Sequence, residues 1–405
     1  MRFPGFHEEW KVEKLGNLMD FKVTNSYSRE NLNYENGKVK NIHYGDIHTK
    51  FQTLFDLGKE NVPFVNENIS IDRIIEDYYC KEGDVIFADA SEDLNDVGKS
   101  IELIKLNNEK LLSGLHTLLA RPKKSTFHIG FNGYLFKSKN VRTQIQKEAQ
   151  GSKVLSISAS RVSKIYLTYP SISEQKKICS ILTAINERIQ TQNKIIKQLE
   201  SLIKSLREST FFQKIRFRDE KGNEYPQWKE KRLKEICEII MGQSPDSTSY
   251  NSEGNGLPLI QGNADIKERK TQPRNYTVEI TKECKVGDLI LTVRAPVGSV
   301  ARSTHNACIG RGVCALVVNK ENNSEYIYQF LINYEPRWIS LEQGSTFTAV
   351  GGNEIKNIKI YLPSLEEQNV IGTFFSSIDL KIFAEKEILK RYQSQKQYLL
   401  KNLFI

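Results

Sequence analysis

Two stretches of the chain, beginning near Ile178 and near Ile371, carry apolar side chains at alternating spacings of three and four residues. Only Gln192 breaks this pattern in the first stretch, whereas Glu385 and Lys396 break it in the second. A seven-residue apolar period is typical of helices that pack as a coiled coil. The residues predicted to pack along this helical rod are Ile178, Leu182, Ile185, Ile189, Ile196, Leu199, Ile203, Leu206, Ile371, Phe375, Ile378, Ile382, Leu389 and Leu399.

Each stretch has its own helix start signal. A proline precedes a serine and, three residues later, a glutamate, and the pairs Ser171 with Glu174 and Ser364 with Glu367 predict capping boxes. A helix from Ser171 to about residue 209 would be about 58 Å long at 1.5 Å per residue. Because that length exceeds the size of one domain, we expect the two helices to pair as an antiparallel rod with a globular unit at each end. The alternative is two amphipathic helices that each pack on their own domain.

The helices belong to a longer internal repeat. The segment 169–175 recurs 193 residues later as 362–368. Further pairs keep the same order in both halves: Trp10–Leu15 and Trp228–Leu233, Gly45–Ile47 and Ala264–Ile266, Lys81–Ile86 and Lys285–Ile290, Val97–Gly98 and Val297–Gly298, Gln150–Ser152 and Gln343–Ser345. Two copies predict a pseudo-two-fold repeat rather than a solenoid. Between these markers the residues hardly match, as expected of a common scaffold with divergent loops or of an old duplication that has drifted.

Short β-like runs separated by turns fill the regions outside the long helices, for example at 84–87 and 288–293. The predicted fold class is α+β, with two mixed α/β domains joined by two long helices that form an antiparallel coiled coil. The predicted domains are a first globular domain at 1–165, a central helical region at 166–213, a second globular domain at 214–358 and a C-terminal helical region at 359–405.

Composition narrows the classes of function. The chain has 405 residues, 39% of them hydrophobic, and a formal net charge of +9, which favours a polyanionic partner such as nucleic acid. It has no apolar run of 18 residues and no apolar stretch close to Met1, so we expect no membrane span, no secretory signal and a cytoplasmic location. The six cysteines form no C-x-x-C pair, which favours reduced thiols and no metal site.

The order of several motifs along the whole chain resembles that of the specificity subunits of type I restriction-modification enzymes. These motifs are Arg2-Phe3-Pro4-Gly5-Phe6 with Trp10, its echo Arg216-Phe217 with Trp228, both P-S-x-x-E-Q helix starts, Tyr44–Ile47, Gly344–Phe347 and Asn353–Ile355. None of these motifs is specific alone, whereas their order together with the duplication is.

The resemblance implies a DNA-recognition subunit without catalytic activity or a cofactor of its own. Its two target-recognition domains would each read one half of a bipartite, asymmetric sequence in double-stranded DNA. Its helices would set the spacer between the half-sites and dock two modification subunits, which are adenine methyltransferases. Restriction subunits would add translocation and cleavage, and these partners would bring S-adenosylmethionine, ATP and Mg.

Polar loops of both domains carry donors suited to DNA. Lys and Arg neutralise phosphates and suit guanine, while Asn and Gln suit adenine. The candidates in the first domain are Lys22, Thr24, Asn25, Ser26, Tyr27, Arg29, His48 and Lys50. The candidates in the second are Gln243, Ser244, Ser247, Tyr250, Gln261, Asn263, Arg269, Lys270, Arg274, Arg294, Arg311, Thr346 and Thr348. Because surface loops are polar in any protein, we expect more than half of these residues to touch no base.

Two other functions stay open at this point. Asp246, Glu268 and Lys270 follow the P-D…E-x-K spacing of a metal-dependent nuclease, although such strings arise by chance in a chain rich in Lys and Glu. The second alternative is a coiled-coil scaffold that binds protein and not DNA. The chain has no Walker A motif and no Asn/Asp-Pro-Pro-Tyr/Phe motif, so we expect neither an ATP site of that kind nor amino methylation from it.

Overall fold

The computed structural model describes residues 2–342 and 349–404. The chain divides into two compact units. Unit 1 consists of the chain up to Gln192 together with the segment from Ile388 onward, and unit 2 consists of Asn193–Glu387. Each unit therefore combines a sheet-rich region with a part of each long helix. The functional boundaries predicted from the sequence stay a prediction.

The described residues of unit 1 contain thirteen strands, five complete α-helices and a part of each of two long helices that also belong to unit 2. The strands are β1 (Lys11–Lys14), β2 (Met19–Lys22), β3 (Leu32–Asn33), β4 (Lys40–Ile42), β5 (Leu54–Asp56), β6 (Phe64–Val65), β7 (Val85–Ala88), β8 (Ala90–Ser91), β9 (Ser100–Lys105), β10 (Leu111–Ser113), β11 (Thr117–Pro122), β12 (Leu155–Ser156) and β13 (Tyr166–Tyr169). The helices are α1 (Leu15–Leu18), α2 (Tyr44–Thr49), α3 (Phe131–Leu135), α4 (Lys139–Glu148), α5 (Ala159–Val162) and α6 (Ile172–Phe211).

The strands and helices that begin in unit 2 follow the same general order. The strands are β14 (Lys229–Arg232), β15 (Cys237–Met241), β16 (Tyr250–Asn251), β17 (Leu257–Ile260), β18 (Ile266–Lys267), β19 (Lys270–Thr271), β20 (Asn275–Thr277), β21 (Glu283–Cys284), β22 (Leu289–Thr292), β23 (Val300–Arg302), β24 (Ala307–Ile309), β25 (Val313–Val318) and β26 (Lys359–Leu362). The helices are α7 (Leu233–Ile236), α8 (Ser324–Glu342), α9 (Gly352–Lys356) and α10 (Leu365–Asn402).

The sheet topology of unit 1 recurs in unit 2. The order β2-β11-β7-β9-β5 corresponds to β15-β25-β22-β23-β19, and the order β3-β6-β4-β10 corresponds to β16-β20-β17-β24. The parallel pairs also correspond, because β5·β9 and β4·β10 match β19·β23 and β17·β24. The duplication predicted from scattered motifs therefore extends to strand order where the sequences no longer match, and it confirms the predicted fold class.

The core of each unit lies against the central strands of its sheet. All four residues of β7 and of β22 are buried, as expected for strands covered on both faces. In unit 1 the main core joins Phe87 and Tyr134 to Leu182 of α6 and Leu399 of α10. The corresponding core of unit 2 includes Phe375 of α10. All six cysteines are buried free thiols.

The long helices pack both on their own sheets and on each other. In unit 2, Lys386 Nζ lies 2.7 Å from Glu200 Oε1, and Arg207 Nη2 lies 4.0 Å from Asp379 Oδ1. The later residue of α6, Arg207, pairs with the earlier residue of α10, Asp379. The two helices are therefore antiparallel there. The buried helix residues are Ile178, Leu182, Ile185, Ile196, Ile203, Ile371, Phe375, Ile382 and Leu399, and the half-buried ones are Ile189, Leu199, Leu206, Ile378 and Leu389.

The repeated helix starts are held by repeated contacts. Arg2 donates from Nε and Nη2 to Glu174 at 3.0 and 2.9 Å, and Arg216 donates from the same atoms to Glu367 at 3.2 and 3.2 Å. In each copy the next residue, a glutamine, donates from Nε2 to the proline carbonyl that precedes the helix, at 2.9 and 3.0 Å. The capping-box prediction did not include these arginines, which connect each helix start to a segment far away in sequence.

Candidate nucleic-acid interface

In unit 1, the loops after β2, β4 and β7 meet the turn between β10 and β11. Asn25 N donates to Ser113 O at 3.0 Å, and Asp89 N donates to His116 O at 3.0 Å. Gly114 N, in the same turn, donates to the last residue of β4 at 2.9 Å. We call this surface loop edge 1, and it comprises residues 23–29, 43–50, 89–90 and 114–116.

A cluster of rings occupies the middle of loop edge 1. The ring of Tyr44 lies 5.2 Å from that of His116 and 6.1 Å from that of His48, both edge-on. His116 Nδ1 lies 3.2 Å from Asp89 Oδ1. Burial raises the pKa of Asp89, against the opposing effect of His116, while burial lowers the pKa of His43 beside the cluster. Three imidazoles and a phenol therefore share one partly exposed surface.

Beside this cluster, the carboxylate of Asp46 holds two cations at the surface. Arg29 donates from Nη1 and Nη2 to its two oxygens, both at 2.8 Å, and Lys50 Nζ lies 3.0 Å from Oδ1. Asp46 has 0% exposure, whereas the Arg29 side chain is 44% exposed. Burial alone would raise the pKa of Asp46, but the hydrogen bonds from Arg29 and Lys50 outweigh it and hold this pKa below its usual value. The carboxylate is therefore charged and fixes both cations.

Most other candidates in unit 1 hold the loops in place. Thr24 Oγ1 donates to a backbone carbonyl at 3.3 Å, and Asn25 Nδ2 donates to a buried asparagine at 2.6 Å. Lys22 Nζ forms a 2.8 Å ion pair with a surface aspartate, and Tyr27 packs against a small apolar cluster. Ser26 is exposed. The predicted loops therefore meet at one surface, where several of the named side chains hold the loops in place, and their role in DNA binding stays a prediction.

The equivalent loops of unit 2 meet in the same way. Gln243 N donates to the last residue of β24 at 2.9 Å, and Gly310 N donates to the last residue of β17 at 2.8 Å. The residue after β22 donates to Gly312 O at 2.9 Å. A Cβ atom at Gly312 would lie 2.1 Å from the carbonyl oxygen of Gln261, so glycine permits this close approach. We call this surface loop edge 2, and it comprises residues 242–250, 261–265, 274, 293–295 and 310–312.

Three exposed arginines mark loop edge 2. Arg311 donates from N and Nε to Ser244 Oγ at 3.1 and 3.4 Å. Arg274 Nε donates to Asp265 Oδ1 at 2.9 Å, where the side chain of Arg274 is 62% exposed and that of Asp265 only 3%. Across residues 2–342 and 349–404, no ion pair involves Arg294 or Arg311. These two charges are therefore available to an anionic partner.

The remaining candidates of loop edge 2 have mixed roles. Gln261 N donates to Asp265 Oδ2 at 2.8 Å, and Tyr250 Oη donates to a backbone carbonyl at 3.1 Å. Ser247 and Asn263 are exposed in one-turn 3₁₀ helices. The candidates Thr346 and Thr348 lie outside the described residues.

Arg269 and Lys270 lie apart from loop edge 2. Arg269 donates from Nη1 and Nη2 to the carboxylate of Glu335 on α8, at 2.6 and 2.9 Å. Lys270 Nζ lies 5.6 Å from the centre of the Phe383 ring on α10. Both line a cleft of about 640 Å³ beside these helices. The structure therefore places these two candidates at the helical side of unit 2.

The nuclease alternative finds no support in the geometry. Asp246 Oδ1 is occupied by hydrogen bonds from the backbone N and Oγ1 of Thr248, at 2.9 and 2.7 Å. No group of three or more His, Cys, Asp or Glu in the described part of the chain is arranged to hold a metal ion. Within that same part, no helix combines the length and apolar character needed to cross a membrane.

Sequence reasoning missed two kinds of residue at these surfaces. His116 and Asp89 enter loop edge 1 from distant segments, and nothing in the local sequence marks them. Asp46 and Asp265 were visible only as part of a repeated Gly-Asp-Ile or Ala-Asp-Ile marker, although each is the buried partner of an exposed arginine. A buried charge within a repeated motif is the signal that could have identified them.

Known proteins are similar to this chain along most of its length. The family model described as the type I restriction modification DNA specificity domain matches residues 7–201 and 225–391. A putative type I restriction enzyme MjaX specificity subunit of Methanocaldococcus jannaschii is 29% identical, covering 97% of this chain and 92% of its own length. The MjaIX specificity subunit of the same organism is 30% identical over 44% of each chain.

Solved structures share the fold. A chain from work on complex assembly and conformational transition of a type I R-M system matches with a TM-score of 0.63 at 24% identity, covering 98% of this chain and 97% of its own. The S subunit of a type I restriction-modification system from M. genitalium matches with a TM-score of 0.62 at 17% identity, covering 100% and 97%. With two domain matches that together span most of its length, and with the duplicated topology that accompanies them, this chain belongs to the family of type I restriction-modification DNA specificity subunits.

Proposed function

We propose that loop edge 1 and loop edge 2 each read one half of a bipartite, asymmetric sequence in double-stranded DNA. The main support for this proposal is that the two loop edges share one topology but present different side chains. The same four loops meet in each unit, but loop edge 1 presents histidines, a tyrosine, Arg29 and Lys50. Loop edge 2 presents three arginines. Equivalent surfaces with different donors are suited to different base sequences.

Affinity and specificity would come from different side chains. Arg294 and Arg311 are exposed and suited to phosphates, so they would contribute affinity that falls with salt through counterion release. Base reading would use side chains that are fixed in direction, since a mobile side chain discriminates poorly between base edges. The internally bonded candidates Thr24 and Asn25 would act by shaping a loop.

The helices would separate the two recognition functions. In this proposal residues 1–165 and 214–358 are target-recognition domains, and residues 166–213 and 359–405 set the spacer. The antiparallel contacts of α6 and α10 in unit 2 support a rigid role for these helices. Two modification subunits would dock on the helical regions, one for each repeat.

The chemistry would reside in the partner subunits. Modification subunits would bind S-adenosylmethionine and methylate adenine, and restriction subunits would use ATP and Mg for translocation and cleavage. The chain itself would contribute recognition without a catalytic residue or a cofactor, and the complex would act on DNA in the cytoplasm. The repeated specificity domain and the duplicated fold support this division of labour.

The deciding experiment is base-resolution mapping of adenine methylation in cells that carry this chain with its modification partner. Cells that lack only this chain are the control. The expected result is a new methylated motif with two fixed half-sites and a gap of constant length. An unchanged methylome, although the complex assembles, would contradict the proposal. DNA affinity that does not depend on salt would favour the scaffold alternative instead.

A further inference from the structure

We propose that Arg29 and Arg274 each read a guanine, one in each half-site, and that the buried carboxylates of Asp46 and Asp265 position them. This inference rests on the proposed function, because it assigns the base-reading groups of the two loop edges. Asp46 and Asp265 would act as positioning residues that touch no base.

The two aspartates occupy equivalent places in the two units. Asp46 lies in the first turn of α2, shortly after β4, and Asp265 ends the one-turn 3₁₀ helix that follows β17. Since β4 and β17 correspond in the sheet order, so do the two carboxylates. Both residues are buried, with exposures of 0% and 2%. A buried carboxylate is costly unless it is paired, so each position requires a cationic partner.

The arginines that supply this partner come from segments that do not correspond in the two units. Arg29 begins the one-turn 3₁₀ helix that leads into β3, whereas Arg274 lies directly before β20, which corresponds to β6 and not to β3. The buried carboxylate is therefore present at the equivalent place in both units, whereas the arginine that pairs with it comes from a different segment in each. If the pair served the fold alone, the arginine could have stayed in the same segment of both units. An arginine that approaches the carboxylate from a different side suits two surfaces that read different sequences.

Both arginines keep donors that face solvent. The carboxylate of Asp46 takes one hydrogen bond from each Nη of Arg29, which leaves the Nε and Nη2 edge available. Arg274 donates to Asp265 through Nε, which leaves its two Nη groups. With 44% and 62% of these side chains exposed, each guanidinium retains an edge that can donate to guanine O6 and N7.

The pair of Arg121 with Asp84 shows what a structural arginine looks like in the same chain. Arg121 donates twice to Asp84, at 2.9 and 2.8 Å, and also to Asp77 and to two backbone carbonyls. Its side chain is only 14% exposed. Because every donor of Arg121 is used inside the protein, this pair provides a matched structural control.

The test uses the complete methyltransferase complex on a library of targets with randomised half-sites. Wild-type complex should methylate a motif with a G·C pair in each half. Asp46→Asn and Arg29→Ala should relax the same single G·C position in one half-site, and Asp265→Asn and Arg274→Ala should relax one position in the other. The expected loss of discrimination is about 5- to 150-fold, the equivalent of about 1–3 kcal/mol for one bidentate arginine–guanine pair.

Control variants distinguish a loss of base reading from a loss of folding. Asp84→Asn should lower the thermal unfolding midpoint and leave the motif unchanged. Arg29→Lys and Arg274→Lys keep a cation beside each buried carboxylate but lose the planar fork of donors, so they report on base reading even if an alanine or aspartate variant fails to fold. A half-site made only of A·T pairs, or arginine variants that weaken all targets equally, would overturn the inference. A wild-type complex that methylates no bipartite motif would instead refute the proposed function itself.

Discussion

Trp228 Nε1 donates a 2.9 Å hydrogen bond to Glu367 Oε2 at the start of α10, and the same carboxylate accepts two bonds from Arg216. In unit 1, Arg2 makes the equivalent contact with Glu174. The two helix starts are thus fastened by the same ion pair, and the carboxylate in unit 2 has an additional indole donor.

We expect Glu367→Ala to destabilise unit 2 strongly. Glu367 has 0% exposure, and its removal leaves the indole without its acceptor and Arg216 with the carbonyl oxygens of Tyr225 and Pro226. Because the Arg216 side chain stays 22% exposed, the loss is set mainly by the hydrogen bonds to a charged group and by the unpaired indole, and we expect about 2–3 kcal/mol. Urea denaturation would measure the loss. Glu366→Ala, at an exposed neighbouring position, should cost less than about 1 kcal/mol. Equal effects of the two substitutions would contradict the anchoring role.

Substitution of Arg311 should weaken DNA binding, whereas substitution of Arg269 should lower stability. We expect Arg311→Ala to weaken DNA binding and, if it loses one phosphate contact, to reduce the slope of log K against log salt by about 0.9. Arg269→Ala should leave that slope unchanged but lower the free energy of unfolding by about 1–2 kcal/mol, because Glu335 loses the two hydrogen bonds from Arg269 and keeps the one from Val300 N. DNA titrations at several salt concentrations, with denaturation curves of both variants, test the two expectations. A reversed pattern would place the DNA at the helical cleft.

Lengthening both helices should change the gap in the target and leave the half-sites intact. Four residues would be inserted after Gln192 in α6 and four after Glu387 in α10, where the helices pass between units. Each insertion adds about 6 Å of helix, which approaches the length of two base pairs at about 3.4 Å each. Methylation mapping should show a gap longer by one or two base pairs. Four residues inserted after Lys320, in an exposed turn, should change nothing. An altered half-site with an unaltered gap would contradict the spacer role.

Glu102 should make the stability of unit 1 depend on pH. This residue of β9 has 0% exposure, and burial raises its pKa to about 8 although Gly130 N and Gly133 N donate to it at 2.7 and 2.6 Å. Between about pH 4.5 and 8 the folded state therefore holds a proton that the unfolded state releases. Stability is retained below this window and falls as pH rises through it, by at most about 1.4 kcal/mol per pH unit.

Denaturation curves at pH 5.5, 7 and 8.5 would measure this dependence. Glu102→Gln keeps the shape of the side chain and removes the titration, so its curve should be flatter. A wild-type protein whose stability follows the same pH profile as Glu102→Gln across this interval would show instead that the carboxyl is ionised in the fold.

The long helices and the duplication could be predicted from the sequence because both leave a regular trace in it. The apolar period records which face of α6 and α10 is buried, and the repeated Pro-Ser and Glu-Gln segments record the helix starts. The loops of both loop edges could also be predicted as loops, since Gly, Ser and Asn mark them.

The partners of individual side chains could not be predicted in the same way. Arg269 and Arg274 lie five residues apart in similar polar surroundings, yet one pairs with α8 and the other with Asp265 at a loop edge. Their directions depend on backbone turns, such as the positive φ of 60° at Arg269, and on which strands become neighbours. Contacts of this kind arise from tertiary packing, for which local sequence carries no periodic signal.

The segment after Ile388 has a consequence for the order in which the protein forms. Leu399, Leu403 and Phe404 are buried in the core of unit 1, and the ring of Phe404 lies 5.7 Å from that of Phe131. On the ribosome, unit 2 has all of its residues once Glu387 has emerged, whereas unit 1 still lacks a part of its core. The half of the molecule that is synthesised first must therefore be completed last, which exposes an unfinished apolar surface throughout the synthesis of unit 2.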